Sequence, residues 1–298
     1  MTTATPSLPQ ARRVTLPRLG GIWSAIRRHP SGAIGLFGVT FFLLMAFVGP
    51  LIVPLPKVDV SARSQPPSAL NILGTDNQGK DIAAQIVHGA RPVITVALLT
   101  GILTTTVAIT LGALAAFLGG LFDRVVNSAA NFVLTIPYLV AMTVLASFIR
   151  LNSPITQALI LSLWSWPVLM RTVRAQVLSL REREYVEAAV ALNLGTPHII
   201  FREILPNMAS YIAISMILAM TSAIYAQIAL ITLGLVPLSD LNWGKMIFSA
   251  RTTGAIYIAD TVWFILSPVL AIALFQWSLV TLARSIEDVF NPRLRSGA

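Results

Sequence analysis

Six long apolar stretches, at about residues 31–53, 92–118, 125–149, 154–176, 208–234 and 258–283, dominate this 298-residue sequence. Each approaches or exceeds the roughly 20 apolar residues that a helix needs to cross a bilayer. Composition says the same: apolar residues make up 55% of the chain and charged residues only 11%, against about 25% charge in an average soluble protein. A helix satisfies its own backbone hydrogen bonds, which lipid cannot do for it. The expected fold class is therefore an all-α membrane protein with six transmembrane helices. The first stretch starts too late for a cleaved signal peptide. It is followed by Val53-Pro54-Leu55-Pro56 rather than a small-residue cleavage site, so it is read as a retained helix.

Six spans put both termini on one side. Of the 21 Lys and Arg residues, Lys57, Arg63, Lys80, Arg91, Arg150, Lys245 and Arg251 then fall on the opposite side. The other fourteen share the side of the termini, with the strongest cluster (Arg12 to Arg28) before the first span. Positive residues stay inside, so both termini are expected in the cytoplasm. Residues 54–91 and 235–257 are then external, and 177–207 is a charged internal segment. The net charge of +9 would raise nucleic acid as a partner in a soluble protein. Here the charges lie between apolar runs, and membrane lipid is the neighbour they fit. Arg171 and Arg174 are expected at the cytoplasmic edge, against lipid phosphate.

Within the second stretch Thr104, Ala108, Gly112, Ala116 and Gly120 recur every fourth residue. Such a stripe lets a neighbouring helix approach closely, in the bundle or across a dimer, or else lines a path. Asn127, Asn131 and Thr135 open the third stretch at the same spacing, and Thr221, Ser222, Tyr225 and Gln227 lie in the fifth. Polar groups in lipid need either an interhelical partner or a wet cavity. These seven are the candidate pathway-lining residues. Pro137, Pro167 and Pro268 imply kinks. No clear intramembrane acid or histidine is present for ion coupling. Asp260 sits at the edge of the last stretch and is expected to be solvated.

Catalytic chemistry finds little support. Cys is absent and the three histidines are far apart, which argues against a metal site, and no hydrolase motif occurs. Gly74-Thr-Asp-Asn-Gln-Gly79-Lys80 has phosphate-loop spacing but ends in Asp81 where a hydroxyl should hold magnesium. It also lacks the strand and helix that such a loop joins. The chain is not expected to be an enzyme or to hold a cofactor.

Tyr185-Val186-Glu187-Ala188-Ala189, then Gly195, then Ile204-Leu205-Pro206 resembles the cytoplasmic EAA loop of ABC-importer permeases. Leu73-Gly74-Thr75-Asp76 with Gly79-Lys80-Asp81 and Gly89-Ala90-Arg91 resembles the signature of dipeptide, oligopeptide and nickel permeases. Trp166-Pro167 with Arg171 and Arg174, Leu233-Gly234-Leu235 with Trp243-Gly244, and Asp288 through Arg293 are similar to further segments of that family. The short first span and the early GTD motif match its second, C-type permease. The resemblance implies a type I ABC importer permease fold and ATP-driven uptake of di- or oligopeptides by alternating access. The runner-up cargo is nickel or another metal chelate. It implies a homologous second permease, two ATPase subunits that carry the ATP and magnesium, and an external substrate-binding protein, at the bacterial cytoplasmic membrane.

Coupling to the ATPase would fall on Tyr185, Glu187, Ala188, Ala189, Asn193, Gly195, Leu205 and Pro206. Two positions depart from the family pattern. Asn193 stands where Gly is usual, and Asn is the next-best residue for a left-handed turn. Leu282-Ala283 replaces a frequent Gly-Asp pair. By segment, the chain divides into a cytoplasmic tail (1–30), a first span (31–53), an external segment (54–91), a five-helix permease core (92–284) and a cytoplasmic tail (285–298). Rival classes are an ion-coupled secondary carrier, which would transport alone, and a membrane scaffold, which would bind ATPases but move no solute.

Overall fold

The computed structural model describes residues 30–237 and 241–290. The arginine-rich stretch 12–28 and the Asn291-Pro292-Arg293 ending lie outside the described residues. Nine principal helices follow in order. They are α1 (Pro30–Phe47), α2 (Ile82–Leu118), α3 (Gly120–Thr135), α4 (Tyr138–Phe148), α5 (Pro154–Arg181), α6 (Glu184–Ala191), α7 (Ala209–Thr232), α8 (Trp243–Thr252) and α9 (Trp263–Phe290). Short helical turns join several of them. Among the described residues, four helices are long and apolar enough to cross a membrane, or five if the bent pair α3–α4 is one span. This is an all-helical membrane protein.

Three boundaries differ from the hydropathy reading. Helix α2 starts at Ile82, about ten residues before its apolar stretch, so Gly89-Ala90-Arg91 is helical rather than part of an external loop. Asp81 causes this: its carboxylate accepts from the Ala83 and Ala84 amides at 3.1 and 3.2 Å, capping the helix start. The loop before α2 therefore ends at residue 81. The third stretch is not one rod but two helices meeting at 89° across Ile136-Pro137. Pro137 lacks an amide to continue the ladder. Helix α5 fills the fourth stretch, but Gln157, Ser162, Trp164, Ser165 and Trp166 dilute its apolarity, and it is not among the four. Pro167 and Pro268 are carried inside helices α5 and α9.

Close approach of backbones organises the bundle. A Cβ on Gly112 would lie 2.7 Å from the Met170 carbonyl and 3.2 Å from the Arg174 amide, so α2 and α5 touch at that glycine. On another side of α2, a Cβ on Gly101 would lie 2.5 Å from the Met220 side chain of α7. The small-residue stripe is thus a packing seam from Thr104 to Ala116. Gly120 lies beyond the break after Leu118, with φ +57° and open space around it, and takes no part. Gly35 brings α1 onto α9, where a Cβ would meet the Leu282 amide at 2.6 Å. The main core gathers Phe42, Ile94, Ile224, Trp243, Phe275 and their neighbours from α1, α2, α7, α8 and α9.

Candidate functional site

The segment between α5 and α7 is built on the far end of α2. Arg181, at the last position of α5, donates to the Ala116 and Phe117 carbonyls at 3.2 and 3.3 Å. Its guanidinium also lies 5.4 Å from the Phe117 ring centroid. A cation here answers the negative end of the α2 dipole. After the turn Glu182-Arg183, helix α6 seats Val186 and Ala189 against Ala113, Ala116, Val173, Val177, Ile199, Ile200 and Ile204. Ala189 is 4% exposed. Of the Ala188-Ala189 pair, only Ala188 faces outward, together with Tyr185, Glu187, Val190 and Leu192. Leu192 is 71% exposed. An open cleft runs beside α6, lined by Leu178, Arg181, Glu182, Glu187, Val190 and Ala191. Partial burial, reinforced by Glu203 and opposed by Arg183, raises the Tyr185 pKa.

The segment's backbone follows from two residues. Asn193 has φ +53°, the left-handed conformation expected of an Asn in this place. The Leu194 amide reaches the Ala189 carbonyl at 3.2 Å and the Asn193 amide the Val190 carbonyl at 2.9 Å. This pair of bonds is a Schellman motif, which closes a helix through one left-handed residue. Gly195 follows at φ +75° and turns the chain into Thr196–His198. A π-helical turn (Ile199–Ile204) and a tight turn (Leu205–Met208) then lead through half-buried Leu205 and Pro206 into α7.

The polar residues of the spans separate into two groups. On α3, Asp123 takes a two-pronged ion pair from Arg174, at 2.6 Å to each oxygen. Asn127 donates to the same carboxylate at 2.7 Å, and Arg171 donates to Asn131. Arg171 and Arg174 are therefore tied to α3 rather than left for lipid phosphate, because their partners lie opposite them on a neighbouring helix. Thr135 is exposed and returns its hydroxyl to the Asn131 carbonyl at 2.9 Å. On α7, Ser222 and Tyr225 are exposed and Thr221 half-buried. Gln227 faces the other way, 1% exposed, and donates to Gln157 of α5 at 3.0 Å.

At the opposite end of α2, the motif with phosphate-loop spacing is a self-filled turn. Asp76 is 4% exposed and accepts from the Gln78 and Lys80 amides at 2.8 and 2.9 Å and from the Gln85 side chain at 3.0 Å. Amides that would cradle a phosphate point at the chain's own carboxylate. Thr75 accepts from the Gln65 amide at 2.9 Å and donates to the Ala62 carbonyl, pinning the loop. Trp243, fully buried, donates to the Ile86 carbonyl at 2.8 Å, and its ring passes 3.0 Å from where a Cβ on Gly89 would stand. Gly89 and Trp243 are thus two halves of one contact across 154 positions, a pairing that no local pattern reveals.

The sequence pattern of the family described as "Binding-protein-dependent transport system inner membrane component" matches residues 108–296. The chain belongs to this family. A second pattern, "N-terminal TM domain of oligopeptide transport permease C", matches residues 18–67. A protein of Brucella suis biovar 1 (strain 1330) that carries a peptide-permease name is 32% identical over 269 residues, covering 89% of this chain and 88% of that one. The dipeptide transport system permease protein DppC of Alkalihalophilus pseudofirmus is 31% identical over 280 residues, 91% and 88% of the two chains. DppC of Bacillus subtilis is 28% identical over 289 residues, 95% and 88%. The first family match takes in α5, α6 and α7, and the second takes in α1. The self-filled turn at 74–81 falls between the two matches.

Proposed function

We propose that this permease is one of the two membrane subunits of an ATP-driven importer of di- and oligopeptides. The observation that carries the reading is the divided surface of α6. Val186 and Ala189 are seated in the chain's own core, while Tyr185, Glu187, Ala188, Val190 and Leu192 stand out together on a loop flanked by basic residues. An exposed apolar patch with a charge at its edge is the form of a docking surface. Its partner in this reading is an ABC ATPase, which supplies the ATP and magnesium, while a second permease and an external binding protein complete the assembly. Relatives named as peptide and dipeptide permeases support the choice of cargo. Asn193, Gly195, Leu205 and Pro206 set the path of the docking segment and touch nothing reactive.

The same reading has six spans and both termini in the cytoplasm of a bacterial inner membrane. Helix α5 supplies the span that apolarity alone does not count. Its 28 residues extend about 42 Å at the helical rise, more than a hydrocarbon core requires. Its polar residues turn inward or bond back: Gln157 meets Gln227, and Ser162 and Ser165 return to the Leu159 and Leu161 carbonyls. The exposed Ser222 and Tyr225 and the half-buried Thr221 of α7, with Asn131 and Thr135 of α3, are then assigned to the wet side of the subunit. Asn127 belongs to the ion pair beside it, and Gln227 to the interior.

The test is reconstitution of the four-subunit complex with its binding protein. Glu187→Lys reverses the charge at the edge of the patch and is expected to abolish binding-protein-stimulated ATP hydrolysis and uptake while membrane insertion stays normal. Full coupling in that variant refutes the docking role. Because the chain has no Cys, single Cys residues report topology cleanly. Labelling of position 187 from outside intact cells refutes the orientation.

A further inference from the structure

Helices α5 and α7 are the two legs that hold the cytoplasmic docking segment. Each packs on α2, α5 at Gly112 and α7 at Gly101. Near their external ends the legs meet directly. Gln227 Nε2 of α7 donates to Gln157 Oε1 of α5 at 3.0 Å, and Gln157 Nε2 donates onward to the Leu151 carbonyl at 3.1 Å. Among the described residues this is the side-chain hydrogen bond that joins α5 to α7. Gln157 is 7% and Gln227 1% exposed, and Ile160, Leu161, Ala223, Leu230 and Ile231 of the same two helices form one buried apolar cluster. A primary amide in such surroundings is costly unless bonded, so the pair specifies how the legs align.

Two further features set this pair apart from ordinary glue. Gln157 also lines a small recess, with room for about one water, together with Asn152, Pro154, Val236 and Asn242. The junction therefore lies next to the segment that joins α4 to α5 and the one that joins α7 to α8. Gln227 Oε1, in contrast, has no partner and is buried. A junction held by one neutral bond, with an acceptor to spare, is strong enough to choose an alignment and weak enough to be released. From Gln157 to Arg181 the helix carries any tilt about 36 Å at 1.5 Å per residue, to the root of the docking segment.

We propose that Gln157 and Gln227 are a positioning pair that fastens the two legs at their outer ends, and that this fastening opens and closes as solute passes. The inference rests on the importer reading above. Neither amide touches solute. Each acts through the helices, by setting where α6 stands while the pair is bonded.

The experiment uses the complete reconstituted transporter with its binding protein and two measurements. The double variant Gln157→Leu, Gln227→Leu keeps roughly the volume and removes the bond between the legs, together with the Gln157 bond to the Leu151 carbonyl. Gln157→Leu alone, which also loses both, and Gln227→Leu alone, which loses only the bond between the legs, are measured beside it. The double variant is expected to assemble, to hydrolyse ATP without the binding protein, and to move about fivefold less peptide per ATP, the shift expected from losing the one neutral hydrogen bond between the legs. Gln227→Leu alone is expected to show the same shift. Gln157→Cys with Gln227→Cys, in a chain with no other Cys, allows the legs to be tied by a short reducible bifunctional thiol reagent. The tied complex is expected to keep its ATPase subunits and stop transport until reduced. Undiminished uptake in the tied complex, or an unchanged peptide-to-ATP ratio in the double Leu variant, overturns the proposal. Failure of the unmodified chain to form a peptide-transporting complex instead counts against the importer reading, before any variant is made.

Discussion

The loop before α2, external in the orientation proposed above, and helix α6, cytoplasmic in it, are both polar interruptions between apolar helices, yet they treat their polar and apolar groups in opposite ways. The loop turns inward. Asp76, Thr75 and Asp81 each satisfy two or more local partners, and the left-handed glycines Gly74 and Gly79 let backbone lie on backbone. Helix α6 turns only half inward, on Val186 and Ala189, and leaves Tyr185, Val190 and Leu192 uncovered. A segment whose hydrogen bonds close on themselves is a fixed part of the scaffold. A segment with an uncovered apolar face is finished by something else. Substitutions should therefore damage folding at the external loop and coupling at the outer face of α6.

The largest effect is expected at Gly79. Its φ is +78°, and a Cβ there would fall on the Asp59 carbonyl. Gly79→Val combines the left-handed penalty with a backbone clash, together about 3 kcal/mol or more. Loss of thermal stability in detergent and low membrane yield are the expected readouts. Normal yield together with a coupling defect would mean that the external loop, like α6, works through a partner, and the contrast would collapse.

Next comes the seat on which α6 rests. Gly112→Leu forces α5 away from α2 at the Met170 carbonyl, and overpacking of this kind costs about 1–3 kcal/mol or more where backbone cannot yield. Because Ala113, Ala116 and Val177 belong to the cluster that also holds Ala189, the same change should loosen α6. Limited proteolysis within 182–195 is the measurement. An unchanged cleavage rate would show that α6 does not depend on that helix contact.

A paired comparison then separates the two faces of α6 itself. Ala189→Trp places a large ring in the chain's own core and should lower the melting temperature, at a cost of about 1–3 kcal/mol. Ala188→Trp, one position away and exposed, should leave stability within about 0.5 kcal/mol, as surface changes usually do. It should nonetheless release the ATPase in co-purification. Equal destabilisation by both would erase the distinction between inner and outer face.

Legibility in the sequence followed the range of each interaction. The all-helical membrane class, the Pro137 break and the left-handed residue at 193 are local properties of hydropathy, ring closure and side-chain type, and they could be read directly. Hydropathy, however, counted six spans where four or five helices are apolar enough among the described residues. The inward use of Asp76 and Asp81 was half legible: an acid where a phosphate loop needs a hydroxyl rules out the nucleotide, but not until the turn is built does Asp76 emerge as its filling. Contacts between distant positions were hidden. Nothing near Arg174 announces Asp123, 51 positions away, and nothing near Gln227 announces Gln157, 70 positions away. The single exposed Ala of the Ala188-Ala189 pair was hidden for a related reason, because which face turns inward depends on where α2 and α5 end.

The smallest expected effect tests the backbone of α6 rather than either face. Asn193 holds the left-handed position of the Schellman motif at φ +53°, where Gly meets no Cβ penalty. Asn193→Gly therefore removes local strain in the folded segment but gives the unfolded chain more freedom. The two contributions oppose each other, and the net change should lie within about 0.5 kcal/mol. Asn193→Val has no such compensation: a β-branched residue in that conformation is strained, by roughly 1–2 kcal/mol. It should unravel the turn that directs Leu194 and Gly195 toward α7. The pair is measured by hydrogen exchange at the Leu194 amide, which is protected here by the Ala189 carbonyl at 3.2 Å. Protection kept in Gly and lost in Val identifies backbone handedness as the reason for Asn at this site. Protection lost in both would mean that the Asn side chain itself holds the turn.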